Sequence, residues 1–357
     1  MTKIKLAKII KEKMELIIKI SLSFLFVIIF CLIFFLGGGL LYFKDVKFVS
    51  DALNNSFQMH VINVGQGDCL LLKTPNNRTF LIDTGKEKSK DISLEYINQF
   101  LKKSSITSID YLILTHTDED HIGGAVNILN NVSVGTIFRP KIYSLYEKQE
   151  NICHKNYKIS NSDIYNQVIQ TAYLLNCEML FSESGIILNE GGCKFEFLSP
   201  IHDNYANDND YSVVIKLTYQ NKSILFMGDA EENIENELIR TYGDKLKTDI
   251  LKVGHHGSKT STTQDFLDLV DPKYAVICVG NNNLSLPNSE VVNRLNDKNI
   301  KILSTMEYDN YAICINENQV DIYFEDKPIC DMALILSIFI IILLFIWAFK
   351  IPKLKKE

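Results

Sequence analysis

The chain lacks the charge balance of a protein that coats nucleic acid. Its 37 Lys and Arg are outnumbered by 43 Asp and Glu, giving a formal net charge of −6. It also lacks cysteine-based metal motifs: its eight cysteines form no CxxC pair and no zinc-ribbon spacing. No internal repeat and no low-complexity tract is present, which excludes a solenoid or a disordered array.

Charged residues are missing altogether from two apolar runs near the ends. The first, residues 20–43, is ISLSFLFVIIFCLIFFLGGGLLYF, longer than the about 20 residues that cross a bilayer. A cleaved signal peptide would have an apolar region of about 7–15 residues and a small-residue cleavage site. Here Leu40, Leu41, Tyr42 and Phe43 follow the glycines, so an uncleaved anchor is expected. The second run, residues 332–349, is MALILSIFIIILLFIWAF, short but adequate for a span.

Six Lys precede the first run, from Lys3 to Lys19, and Lys350, Lys353, Lys355 and Lys356 follow the second. By the positive-inside bias both basic tails, 1–19 and 350–357, are expected in the cytoplasm. Lys44 and Lys47 flank the first run on its other side but are outnumbered. A linker over 44–56 and a globular domain over 57–328 would then lie outside the cell, with the bilayer, and any membrane protein bound to the spans, as partners. The tails hold ten Lys and three Glu, a net +7; against −6 for the whole chain, about −13 remains between them. An acidic outer domain binds nucleic acid through metal ions or a local patch, not through a broad basic face.

Cys31 falls in the first run, and Cys69, Cys278 and Cys314 sit in apolar strand-like stretches as buried thiols. Cys153 with Cys177 or Cys193 is the one disulfide the sequence suggests.

Between the tails, short β-rich runs open the domain: 59–65, 68–74 and 78–85. Helical spacing follows over 91–103, a buried strand over 111–115, a helix over 121–130 and a strand over 134–138. Residues 140–192 are expected to be loops apart from a helix over 163–175. Strands over 194–198, 212–218 and 223–227 come next, then alternating helices and strands to 324. Strands first, then alternation, twice over, predicts an α/β chain folded as a four-layer αββα sandwich, flanked by the two transmembrane helices.

Three stretches carry chemistry. Thr115-His116-Thr117-Asp118-Glu119-Asp120-His121-Ile122-Gly123-Gly124 follows the buried strand directly. Imidazole and carboxylate together suit a divalent metal. His116 and Asp118 can share one side of the loop, while Asp120 and His121 turn toward a second ion. A solvated acidic loop capping a helix would explain the Asp residues but not the two His. Second, Phe226-Met227-Gly228-Asp229-Ala230-Glu231 delivers Asp229 at a helix start, where it is either an N-cap or a carboxylate bridging two metals. Third, Leu251-Lys252-Val253-Gly254-His255-His256-Gly257-Ser258 places two adjacent His between glycines at a strand end, holding two of only seven His in the chain.

His116-x-Asp118-x-Asp120-His121 resembles the HxHxDH signature of the metallo-β-lactamase superfamily, with Asp118 in place of the second His. Asn63-Val64-Gly65-Gln66-Gly67-Asp68 and Leu81-Ile82-Asp83-Thr84-Gly85 fit the same superfamily. Together these motifs resemble the hydrolase domain of ComEC-type DNA-uptake proteins over residues of about 57–325. The resemblance implies His116, Asp118, Asp120, His121 and Asp229 as metal ligands. One of the pair His255 and His256 completes the set; His256 is taken as the ligand and His255 as a group acting on substrate. Asp83 would orient ligands from below, and Asp68 would close a turn near the site. Asn209 and Ser212 would stand where other members place a further His. The implied cofactor is a pair of divalent ions, Zn²⁺ or Mn²⁺, because the set is oxygen-rich.

The expected reaction is phosphodiester hydrolysis, with nucleic acid as one possible substrate. Asp120 would accept the proton of the attacking water, and His255 or Lys252 would stabilise charge on the phosphoryl group. Two alternatives stand beside it: hydrolysis of a cell-surface ester of phosphocholine type, and a non-catalytic metal-binding role in a membrane complex. β-Lactam hydrolysis does not fit this ligand set. ComEC-type proteins carry a many-helix channel domain, which two spans cannot build, so the likeness implies the chemistry and not DNA transport.

Overall fold

In Cys193–Ser199 every second side chain turns inward. Cys193, Phe195 and Phe197 are buried, while Lys194 and Glu196 pair on the outer side at 2.7 Å. That period of two fixes which side of the strand meets the core. The same rule sorts the rest of the chain. The computed structural model describes residues 56–152, 158–316 and 318–324, together with Met14.

One sheet contains β1 (Phe57–Val61), β2 (Leu70–Lys73), β3 (Thr79–Ile82), β4 (Ser108–Ile113), β5 (Ser133–Arg139), β6 (Glu178–Phe181), β14 (Tyr311–Asn316) and β15 (Gln319–Phe324). Its order is β15-β14-β1-β2-β3-β4-β5-β6. The other contains β7 (Ile187–Glu190), β8 (Cys193–Ser199), β9 (Val214–Tyr219), β10 (Lys222–Phe226), β11 (Ile250–Lys252), β12 (Tyr274–Ile277) and β13 (Lys301–Ser304), in the order β13-β12-β11-β10-β9-β8-β7. Each sheet is antiparallel on one side and parallel on the other. The parallel parts are β3-β4-β5-β6 and β10-β11-β12-β13.

Three apolar layers hold four layers of structure together. Met59, Leu72 and Phe80 of the first sheet meet Phe195, Phe197 and Phe226 of the second. Phe80 stacks on Phe195 with ring centroids 4.0 Å apart. Helices Lys90–Lys103, Ala125–Asn131 and Asp163–Leu174 cover the first sheet with Ile97, Ile128 and Val168. Helices Glu232–Tyr242, Gln264–Val270 and Ser289–Asp297 cover the second with Ile234, Phe266 and Leu295. This is the two-sheet sandwich that the alternation predicts.

The helix expected over 121–130 is two short helices, Glu119–Ile122 and Ala125–Asn131. Gly123 and Gly124 lie between them because the chain passes too close to residues 84–87 for a side chain. A Cβ at Gly123 would sit 2.2 Å from the Glu87 nitrogen, and one at Gly124 2.5 Å from the Thr84 oxygen. Within 140–192, expected to be mostly loop, the chain forms helix Leu145–Gln149 and the strands β6 and β7. Both strands lie at sheet edges and alternate exposed with half-buried positions, so they carry no continuous apolar run. Cys177 and Cys193 are free thiols, so neither forms the disulfide considered from sequence; Cys153 lies outside the described residues. The expected spans, 20–43 and 332–349, and the basic tails also lie outside them, apart from Met14. Among the described residues no helix is long and apolar enough to cross a membrane.

Candidate metal centre

The three motifs meet because the loops that carry them leave the same ends of neighbouring parallel strands, the place where open α/β sheets form their sites. β3 ends at Asp83, β4 leads into the 115–121 loop, β10 into Asp229, and β11 into the two His. Val213 donates its N–H to the Thr115 carbonyl at 2.9 Å, and His255 donates to Gly228 O at 3.1 Å, which ties the loops to one another.

His121 is buried and held from below. Its Nδ1 donates to Asp83 Oδ2 at 2.7 Å. The other acceptor sites of Asp83 take Thr115 N at 2.9 Å and Thr115 Oγ1 at 2.6 Å. With Nδ1 so engaged, Nε2 faces Asp229 Oδ1 at 3.1 Å and His256 Nε2 at 3.2 Å. His116 is also buried, with Nε2 3.8 Å from both Asp118 Oδ2 and Asp229 Oδ2. Ser212 Oγ accepts the Asp229 N–H at 3.1 Å and so fixes the start of that loop.

His256 Nδ1 donates to the Cys278 carbonyl at 2.8 Å. Its Nε2 lies 3.3 Å from Asp120 Oδ2 and 3.5 Å from Asp229 Oδ2. His255 and His256 both adopt left-handed backbone, with φ of 44° and 51°. Such strain costs on the order of 1–3 kcal/mol per residue and is concentrated at working sites. His255 is partly exposed; its Nδ1 donates to Glu231 Oε1 at 2.8 Å, and Asn209 Nδ2 reaches the same oxygen at 3.5 Å.

The carboxylates and imidazoles of the cluster draw one another toward the charged forms against burial. Burial alone would discharge them. For His121 the charges of Asp229 and Asp83 prevail and hold it well above the ordinary range; for His256, Asp229 chiefly raises it to about 9. Asp229, opposed by burial but surrounded by His121, His256 and His116, is held well below the carboxylate range, and Asp120 is brought down to about 2. His116 goes the other way: burial and the neighbouring His121 lower it.

This environment asks for a cation. His121 and His256 each spend an N–H at Nδ1, so a metal that displaces the second proton of each ring meets a lone pair at Nε2, and those two nitrogens face each other at 3.2 Å. His116 Nε2 is buried without a hydrogen-bond partner, a loss of about 1–3 kcal/mol if nothing binds it, while Asp229 Oδ1 and Asp68 Oδ1 have imidazole edges beside them at 3.1 Å and 3.4 Å. Two sets of side chains could each hold a metal ion: His116, His121 and Asp229, and Asp68, His121 and His256. Imidazole with carboxylate fits Zn²⁺ or Mn²⁺.

The structure brings together every residue singled out from sequence, with different exposures. Asp118 is open to solvent and Asp120 partly so, at 49% and 23% side-chain exposure. Lys252 does not reach the open side: it is fully buried, and Nζ donates to Val253 O at 2.9 Å and pairs with Asp68 Oδ2 at 2.8 Å. Thr115 and Glu231 stand inside the motifs, and only their contacts with Asp83 and His255 show what they do. The Cys278 carbonyl is a backbone group that residue type cannot reveal.

Residues 62–281 match the model of the metallo-β-lactamase superfamily, and the chain belongs to that superfamily. Among curated proteins it is 32% identical over 272 residues to ComE operon protein 3 of Bacillus subtilis (strain 168), covering 72% of this chain and 33% of that one. It is 29% identical over 256 residues to competence protein ComA of Neisseria gonorrhoeae, covering 70% of this chain and 31% of that one. The chain thus spans about a third of the length of these relatives. Among solved structures, the metallo-β-lactamase fold protein YhfI from Bacillus subtilis shares 11% identity at a TM-score of 0.44, over 72% of this chain and 99% of that one.

Proposed function

We propose that this protein is a membrane-tethered, two-metal phosphodiesterase that cleaves nucleic acid outside the cell. The observation that carries the proposal is that the oxygen-rich cluster opens on a polar groove. Asp118, Glu119 and Asp120 form one wall of a cleft of about 400 Å³, and Lys158, paired with Asp208, lines the rest with Ser160, Asn161 and Ser162. A metal pair in this cluster would supply Lewis acidity and make water a better nucleophile near neutral pH. His116, Asp118, Asp120, His121, Asp229 and His256 would hold it, and Asp83 would fix the ring of His121.

The remaining chemistry belongs to groups at the opening. Asp120, partly exposed at the opening, would accept the proton of the attacking water. His255 carries a proton at Nδ1 against Glu231 and turns its other edge toward Asp229, 3.7 Å away. With Nε2 protonated as well, that edge would donate to the departing oxygen or to the phosphoryl group. No aromatic side chain lines the cleft among the described residues. That supports contact with backbone phosphate over base stacking. Relatives named for competence, and one named recombination protein 2 in Haemophilus influenzae, 31% identical, support nucleic acid as the substrate class.

The test uses the full-length protein, stripped of metal and reloaded separately with Mn²⁺ or Zn²⁺. Bis-p-nitrophenyl phosphate, single-stranded DNA and p-nitrophenyl phosphocholine are assayed in parallel. Diester and DNA cleavage should require metal and fall about 10²–10⁴-fold in Asp120→Ala. Turnover of the phosphocholine ester alone would move the assignment to cell-surface ester hydrolysis. No turnover with metal bound would favour the non-catalytic role.

A further inference from the structure

The two inner imidazoles are backed differently. His121 rests on Asp83, whose carboxylate otherwise accepts from Thr115, a neutral donor. His256 rests on the Cys278 carbonyl, with Asp68 Oδ1 beside the same Nδ1 at 3.4 Å. Asp68 is not satisfied by neutral donors. Its Oδ2 is taken by Lys252 Nζ at 2.8 Å, and the Lys252 side chain is wholly buried.

The pair is built across the sandwich. Lys252 ends β11 in one sheet, and Asp68 stands in the turn before β2 in the other. The turn is itself pinned: Asp68 N donates to Asp120 O at 3.2 Å, and Asp68 O accepts Gly85 N at 2.8 Å. Gly67 permits this approach, since a Cβ there would sit 2.1 Å from Asp120 O. Burial opposes charge on both members. In Asp68 the attraction of Lys252, then of His256, outweighs it, and in Lys252 the attraction of Asp68 does the same.

We propose that Lys252 and Asp68 are positioning residues for His256. Lys252 fixes one carboxylate oxygen so that the other lies 3.4 Å from the imidazole edge, where its charge favours a proton at Nδ1 beside the Cys278 carbonyl and so turns Nε2 toward the cluster. This rests on the metal-binding reading of that cluster and goes beyond it. It assigns Lys252 to the metal position served by His256 and removes it from contact with substrate. A buried pair of this kind contributes little to stability over apolar residues of the same size, so orientation of His256 can be separated from folding.

The experiment has two parts, both on full-length protein. In the first, histidine is labelled with ¹⁵N and long-range ¹H–¹⁵N spectra are recorded without substitution on the zinc-loaded protein, in which the ring is neutral. His256 should appear as the Nδ1–H tautomer; an Nε2–H tautomer overturns the proposal directly. In the second, Lys252→Met and Asp68→Asn are combined, so that neither charge is left buried alone. Thermal unfolding followed by circular dichroism checks the fold, and calorimetric titration with Mn²⁺ counts the metal. One of two equivalents should weaken about 10–100-fold while the other stays unchanged, with His256 losing its fixed tautomer. Wild-type affinity at both positions, or equal loss at both in a folded variant, overturns the proposal. Two bound metals with no turnover of any diester would sink the phosphodiesterase reading and leave this one standing.

Discussion

Asp83 is the residue on which the site's geometry turns most simply. It sits at φ 57°, fully buried, with its carboxylate divided between Thr115 and His121. Asn tolerates the left-handed region and keeps the size of the side chain, so Asp83→Asn should fold. Its amide no longer offers two anionic acceptors, and the ring of His121 loses its charged support. Metal affinity should fall about 10–100-fold by calorimetry; unchanged affinity would contradict a role for Asp83 in orienting His121. At this scale much was legible. His116, Asp118, Asp120, His121, Asp229 and the His pair stand out because imidazole and carboxylate recur at the ends of apolar strands. Lys252 was not legible in the same way. A strand-end lysine reads as a group aimed at substrate, and only the paired sheet shows its ammonium turned to Asp68.

Among the elements, the strands that carry the site were the most readable. β10 and β11 are short runs buried along most or all of their length, and β4 is buried at Leu112 and Ile113, the end that leads to the site. The helix split at Gly123 and Gly124 was hidden because its cause, the close passage of residues 84–87, is a tertiary contact. The 140–192 region was hardest, since its order comes from one buried cation. Arg139 at the end of β5 donates to Ile142 O at 2.9 Å and Tyr165 OH at 3.1 Å, pairs with Glu147, and lies 4.1 Å over the Phe181 ring. Tyr143 then bonds to residues 158 and 160, at 2.9 Å and 2.8 Å, and so sets the cleft wall that contains Lys158. Arg139→Met leaves Glu147 buried without its partner. It should cost about 3–5 kcal/mol in urea unfolding; an unchanged midpoint would show that the knot does not hold this wall.

For the molecule as a whole, fold class followed from the order of strand and helix patterns, and the sandwich bears it out. Placement in the cell rests on sequence alone, because residues 20–43 and 332–349 lie outside the described residues. If they anchor the chain as we propose, full-length protein resists alkaline carbonate extraction from membranes, and protease added to intact cells cuts the globular part. Release by carbonate, or full protection, would contradict the tether or its orientation. The central claim is that two metals in one buried cluster drive diester cleavage at its open side. It is tested most directly by following single-stranded DNA cleavage while metal is titrated into stripped, full-length protein. The account predicts no cleavage without metal and activity that rises until two equivalents are bound per chain. Cleavage by the stripped protein, or activity complete at one equivalent, would contradict it.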